Sequence, residues 1–163
     1  MTEPTSPEVP PRTGAANPVV LLLSGPNLGL LGQRQPEVYG TATLADHVAA
    51  ATAAARVAGL DLEHLQSDSE GELVGAVHRA RGRVAAIIVN AAALTHYGWS
   101  LADALATFDG PIVEVHISNP DAREGWRRTS VVTPVATGTI AGLGGHGYEL
   151  AVAAVARLIA APG

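Results

Sequence analysis

The feature that most constrains this chain is the alternation of two kinds of apolar segment. Short runs that are apolar throughout, "VVLLLS" (residues 19 to 24) and "VAAIIVN" (84 to 90), interleave with longer Ala-rich segments. The longer ones include "TLADHVAAATAAARVAG" (43 to 59) and "HGYELAVAAVARLIA" (146 to 160). A strand with no polar face must be covered on both sides, which is the situation in a parallel sheet flanked by helices. "LDLEHLQ" (60 to 66), "PIVEVHIS" (111 to 118) and "VATGTIAG" (135 to 142) complete a set of five strands. "SDSEGELVGAVHRA" (67 to 80) and "SLADALATF" (100 to 108) supply two more helices. Ser69 and Glu72 stand at capping-box spacing, and Gly59 reads as a helix stop.

The alternation predicts an α/β three-layer sandwich with a five-stranded parallel sheet. In the flavodoxin-like strand order 2-1-3-4-5, the carboxyl ends of strands 1, 3 and 4 are neighbours, and ligands bind at such ends. Residues 1 to 18 hold five of the 11 prolines and almost no large apolar residue, so they read as a disordered Pro-rich tail. Residues 19 to 163 then form a single domain.

Composition removes several kinds of chemistry. The chain has no Cys, which excludes disulfides and thiolate nucleophiles. All ten basic residues counted are Arg, so no side-chain amine is present to form a Schiff base. A formal charge of −5 with scattered Arg argues against nucleic acid. No apolar stretch reaches the roughly 18 to 20 residues that span a bilayer. The N-terminus lacks a secretory layout. A cytoplasmic protein is expected.

Asn27 follows strand 1, Asn90 ends strand 3, and Glu114, His116 and Ser118 occupy the end of strand 4. Gly25, Pro26 and Gly29 suit a tight turn that brings backbone close to a ligand. Glu114 and His116 are two apart on a strand and share a face. A carboxylate there fixes the tautomer of an imidazole and favours its protonated form, as a general acid requires. A solvated Glu beside a strand-end His fits the same pattern. Arg34 and Tyr39 lie in a segment too broken by Gly and Pro to predict a helix. A phenol is a poor base at neutral pH unless a cation favours its anion. An ordinary exposed loop is the other reading. "GLGGHGYEL" (142 to 150) fits close packing at a strand-to-helix turn better than a dinucleotide loop, since no strand follows it. His47, His64 and His78 have no ligand-like neighbours in sequence, and no metal site is expected.

"SGPNLGLLGQRQPEVYG", "QSDSEGELVGAVHRA", "IIVNAAALTHYGWSLADAL", "VEVHISNPDARE" and "ATGTIAGLGGHGYELA" together resemble successive signatures of type II 3-dehydroquinate dehydratase. The resemblance runs in order from Val19 to Ala161. It implies conversion of 3-dehydroquinate to 3-dehydroshikimate, the third step of the shikimate pathway, with no cofactor or metal. It also implies a homododecamer of four trimers. Residue by residue, it makes Tyr39 the base and Arg34 the guanidinium that stabilises its anion, both on a mobile lid. Asn27 matches the amide that serves the enolate oxygen. His116 matches the general acid, positioned by Glu114. Asn90 and the backbone at Ile117 and Ser118 match the carboxylate site, while His96 and Arg127 match the ligands of the ring hydroxyls. Arg123 matches a further basic residue, and Asp103 an acid that reaches in from a neighbouring subunit.

The chain departs from the commonest pattern in a few places. Ala91-Ala92-Ala93 replaces a Pro- or Gly-rich step, which predicts a less permissive loop. Tyr97-Gly98, Asp68, Asp121 and Gln35 also differ. A flavodoxin-like FMN or small-ligand binding module is the alternative, but the loop after strand 1 lacks the Ser or Thr such a module would present to phosphate.

Overall fold

The computed structural model describes residues 16 to 161. In chain order the elements are β1 (Val19–Ser24), α1 (Pro36–Tyr39), α2 (Leu44–Val57), β2 (Asp61–Gln66), α3 (Glu70–Ala80) and β3 (Ala86–Asn90). They continue with α4 (Trp99–Ala106), β4 (Ile112–His116), β5 (Gly138–Ala141) and α5 (His146–Ala160). All four strand pairings are parallel, and the sheet order is β2-β1-β3-β4-β5, as expected. Most of the proposed Pro-rich tail lies outside the described residues. Its last residue, Pro18, already accepts a bond from the Asp61 amide at 3.0 Å.

Alternation along the strands divides the core in two. Val20, Leu22, Ala86, Ile88, Val113 and Val115 face one way, against Ala51 and Ala55 of α2 and Val152 and Val155 of α5. Leu21, Leu23, Ile87, Val89 and Ile112 face the other, against Leu73 and Val77 of α3 and Leu101 and Leu105 of α4. Each fully buried Leu or Ile contributes about 1.5–3 kcal/mol, so β1 and β3 anchor the sheet. The same alternation puts Glu114 and His116 on the α3/α4 side with Ile112, two residues apart along β4.

Two local expectations need correction. Residues 36 to 39 do form one turn of helix. Pro36 at its first position presets φ, Gln35 before it is left-handed (φ 44), and Gly40 ends it at φ 79. The capping box at α3 closes only halfway. Ser69 accepts from the Glu72 amide at 3.4 Å, but the Glu72 carboxylate is taken by the Ser67 hydroxyl. Ser67 Oγ also accepts the Ser69 amide at 2.9 Å, so a serine stands in for the reciprocal bond.

The Gly-rich turn before α5 is a packing device. A Cβ on Gly145 would stand 2.2 Å from the ring of His47, which is buried and stacked on Tyr148 at 5.6 Å. His64 bonds Ser24 Oγ at 3.0 Å, and His78 is exposed on α3.

Candidate active site

The carboxyl ends of β1, β3 and β4 open into one cleft of about 710 Å³, counting space open to solvent. Asn27, Arg34 and Tyr39 line it from the β1 side. Asn90 and His96 line it from the β3 side, and His116, Ile117, Ser118, Arg123 and Arg127 from the β4 side. Apolar walls come from Leu28, Leu31, Ala92 and two prolines. Glu114 lies beneath His116. Asp103 is exposed on α4 and does not line this cleft.

β1 and β3 can meet at the floor because Gly25 has no side chain. A Cβ there would lie 2.4 Å from the Ala91 carbonyl, and the Gly25 amide donates to Asn90 O at 2.8 Å. Beyond it, Asn27 is held left-handed at φ 65, a conformation that few residues with a Cβ adopt. Its backbone N–H donates to Asp68 Oδ1 at 2.8 Å, and Gln66 Nε2 braces the same oxygen at 3.1 Å. The side chain that reaches the cleft is therefore mounted on a fixed backbone.

Glu114 is fully buried and accepts five side-chain bonds. Oε1 takes His116 Nε2 at 2.8 Å, Ser130 Oγ at 3.1 Å and the Thr95 hydroxyl. Oε2 takes Thr133 Oγ1 at 2.5 Å and Thr139 Oγ1 at 3.3 Å. Burial pushes the carboxyl pKa up, but the bonds from His116, Thr133 and Thr95 outweigh it and bring it down to about 2. The carboxylate is ionised at neutral pH. It can only accept, so His116 must carry a proton on Nε2. This leaves Nδ1 for the cleft, which His116 lines.

The four hydroxyl donors were not legible as site residues. They come from three separate segments, Ser130 and Thr133 sharing one turn, and the signal that could have found them is chemical: an ionised buried carboxylate needs donors.

Tyr39 meets a guanidinium, but not the expected one. Arg123 Nη1 donates to Tyr39 Oη at 2.6 Å, while no bond joins Arg34 to Tyr39 among the described residues. The left-handed Gln35 separates Arg34 from the turn that carries Tyr39. Arg123, 84 residues away in sequence, arrives from the loop after β4. His96 donates Nδ1–H to Thr129 O at 2.7 Å, and its ring edge meets Trp126 at 5.0 Å. Arg127 lies 4.2 Å from the same indole and is paired with Glu124 at 2.7 Å.

The loop after β3 carries the Ala91-Ala92-Ala93 departure. Ala92 adopts φ 51, which an L-residue with a Cβ enters at a cost of roughly 1–2 kcal/mol.

Comparison with known proteins supplies the chain's relationships. Residues 18–156 match the family model described as Dehydroquinase class II. A 3-dehydroquinate dehydratase from Herpetosiphon aurantiacus is 50% identical over 133 residues, 82% of this chain and 92% of its own length. Another from Corynebacterium glutamicum (strain R) is 50% identical over 139 residues, covering 85% of this chain and 96% of its own. The crystal structure of type II dehydroquinase from Propionibacterium acnes is 46% identical, with a TM-score of 0.84. It covers 88% of this chain and 99% of that one. An alignment of this length and identity, on the same parallel sheet, leaves one assignment: the chain belongs to the class II dehydroquinase family of hydro-lyases.

Proposed function

We propose that the protein dehydrates 3-dehydroquinate to 3-dehydroshikimate and water, the third step of the shikimate pathway, through an enolate. The observation that carries this reading is the pairing of two proton-transfer groups across one cleft. Tyr39 sits on a guanidinium on one side, and His116 on a buried carboxylate on the other.

The C2 proton is acidified by the neighbouring ketone. Tyr39, as tyrosinate stabilised by Arg123, takes it, and electrons move to the ketone oxygen. Asn27 serves that oxygen as it becomes an enolate, a task for a donor fixed before the reaction begins. The enolate then expels the C1 hydroxyl, which leaves as water after taking a proton from His116 Nδ1. Glu114 keeps the imidazole oriented. The other established route to this kind of product, an imine with lysine, is closed because the chain has no Lys.

Asn90 with Ile117 and Ser118 binds the substrate carboxylate, and His96 and Arg127 the ring hydroxyls. Arg34 lines the same cleft and contributes positive charge to the lid over an anionic substrate. Residues 19 to 163 act as one catalytic domain in the cytoplasm. Asp103, exposed and away from its own cleft, takes part by reaching a neighbouring subunit in a dodecamer of four trimers.

The test follows ultraviolet absorbance of the conjugated enone product when purified protein meets 3-dehydroquinate. Absorbance that rises with wild type, with and without chelator, supports the reading. A well-folded protein that gives no rise overturns it.

A further inference from the structure

Asn90 has both ends of its side-chain amide committed before any ligand arrives. The Ala92 backbone N–H can only donate, and it meets Asn90 Oδ1 at 3.2 Å, which fixes the oxygen. Nδ2 must therefore face Tyr148, whose Oη accepts from it at 2.8 Å. Tyr148 is only 1% exposed and sits on α5, 58 residues away in sequence. Its ring is pinned by the stack on His47, against which Gly145 packs without room for a Cβ. Burial pushes its phenol up to about 12, against a small opposing effect of the Asn90 bond, so it stays a neutral hydroxyl.

An amide nitrogen carries two hydrogens. Tyr148 takes one, and Asn90 lines the cleft with the other uncommitted among the described residues. Rotation of the amide by half a turn would present a carbonyl oxygen to the cleft instead and repel a carboxylate. Such a rotation would place Oδ1 against the phenol and NH2 against the Ala92 N–H, two donors face to face.

We propose that Tyr148 is a positioning residue: the Ala92 N–H sets which way round the Asn90 amide lies, and the Tyr148 hydroxyl holds its NH2 edge in place so that the second N–H stays aimed at the anionic group of the substrate. This rests on the dehydratase reading, in which that group is the carboxylate of 3-dehydroquinate. The inference makes a residue of the last helix a determinant of substrate affinity without contact with the substrate.

The test has a structural and a kinetic arm. In nuclear magnetic resonance of the wild type, the Asn90 side-chain NH2 should show two well-separated, exchange-protected proton signals. Tyr148→Phe, which keeps the ring and its stack, should collapse that protection. Freely exchanging signals in the wild type would overturn the proposal whether or not any variant folds. In steady-state kinetics, Tyr148→Phe should raise KM for 3-dehydroquinate about tenfold, the scale of one buried hydrogen bond to a polar group left unpaired. Its kcat should change much less. In an Asn90→Ala background the same substitution should have no further effect on KM. An unchanged KM, or an equal effect with and without Asn90, would contradict it. If wild type binds 3-dehydroquinate without turnover, the dehydratase reading falls. The same comparison made on Kd by titration calorimetry then decides the role of Tyr148. If wild type does not bind it at all, both fall.

Discussion

On the β4 side of the cleft Glu114 is fully buried and accepts bonds from five side chains, whereas on the β1 side most residues from Asn27 to Gly40 are at least partly exposed. Among the described residues Tyr39 has one side-chain hydrogen-bond partner, Arg123, and it stands on a single turn of helix. The difference matches what each side must do in the proposed reaction. A general acid works from a fixed imidazole, and fixing it takes a buried, fully satisfied network. A base that must close over a substrate and open again cannot be bonded so heavily. Asn27 is the exception on the β1 side: its backbone is braced by Asp68, as an oxyanion donor requires.

The comparison can be broken most forcefully at the base. Tyr39→Phe should lower kcat by about 10²–10⁴, the range of general acid–base catalysis, while melting temperature stays within a degree or two. A large loss of stability would show that the lid is part of the framework after all. Glu114→Ala should act in the opposite way. Removing the fully buried acceptor of five donors should cost about 3–5 kcal/mol in denaturant unfolding, besides reducing turnover.

Acid should reveal the same asymmetry. The folded pKa of Glu114, about 2, lies below its ordinary 4.5, so its stabilisation is complete above 4.5 and is lost as pH falls toward 2. His47 and His64, both held below 6.5 by burial, begin a smaller loss as pH drops under that value. A plot of melting temperature against pH should therefore fall most steeply between 4.5 and 2, and Glu114→Gln should flatten that part.

Arg123→Ala should reduce kcat more than Arg34→Ala, because Arg123 is the cation on the phenol oxygen. The reverse order, read from kcat at saturating substrate, would mean that Arg34 takes over when substrate is bound. The smallest effect should come from Ala92→Gly. Relief of a left-handed alanine should stabilise the protein by up to about 1 kcal/mol, measured by chemical denaturation.

Much of this architecture is legible in the sequence. The central strands announce themselves because β1 and β3 are apolar on both faces, and such strands are stable only when helices cover both sides of the sheet. Glu114 and His116 could be paired because a strand's period puts residues two apart on one face. What could not be read was contact between distant segments. Arg123 reaches Tyr39 across 84 residues, and Thr95, Ser130, Thr133 and Thr139 surround Glu114 from three segments, with no local pattern to mark them. Local chemistry also misled where a neighbour intervened. Ser67 captured the carboxylate of Glu72, and Pro36 made a helical turn where broken sequence suggested none.

The division of labour between a lid-borne base and a framework-held acid can be tested in one experiment. 3-Dehydroquinate is incubated in D2O with Tyr39→Phe and with His116→Ala, and deuterium at C2 of the unconverted substrate is measured by mass spectrometry. The account predicts deuterium with His116→Ala, where the base still forms the enolate, and none with Tyr39→Phe. Exchange that persists in Tyr39→Phe but vanishes in His116→Ala would contradict it.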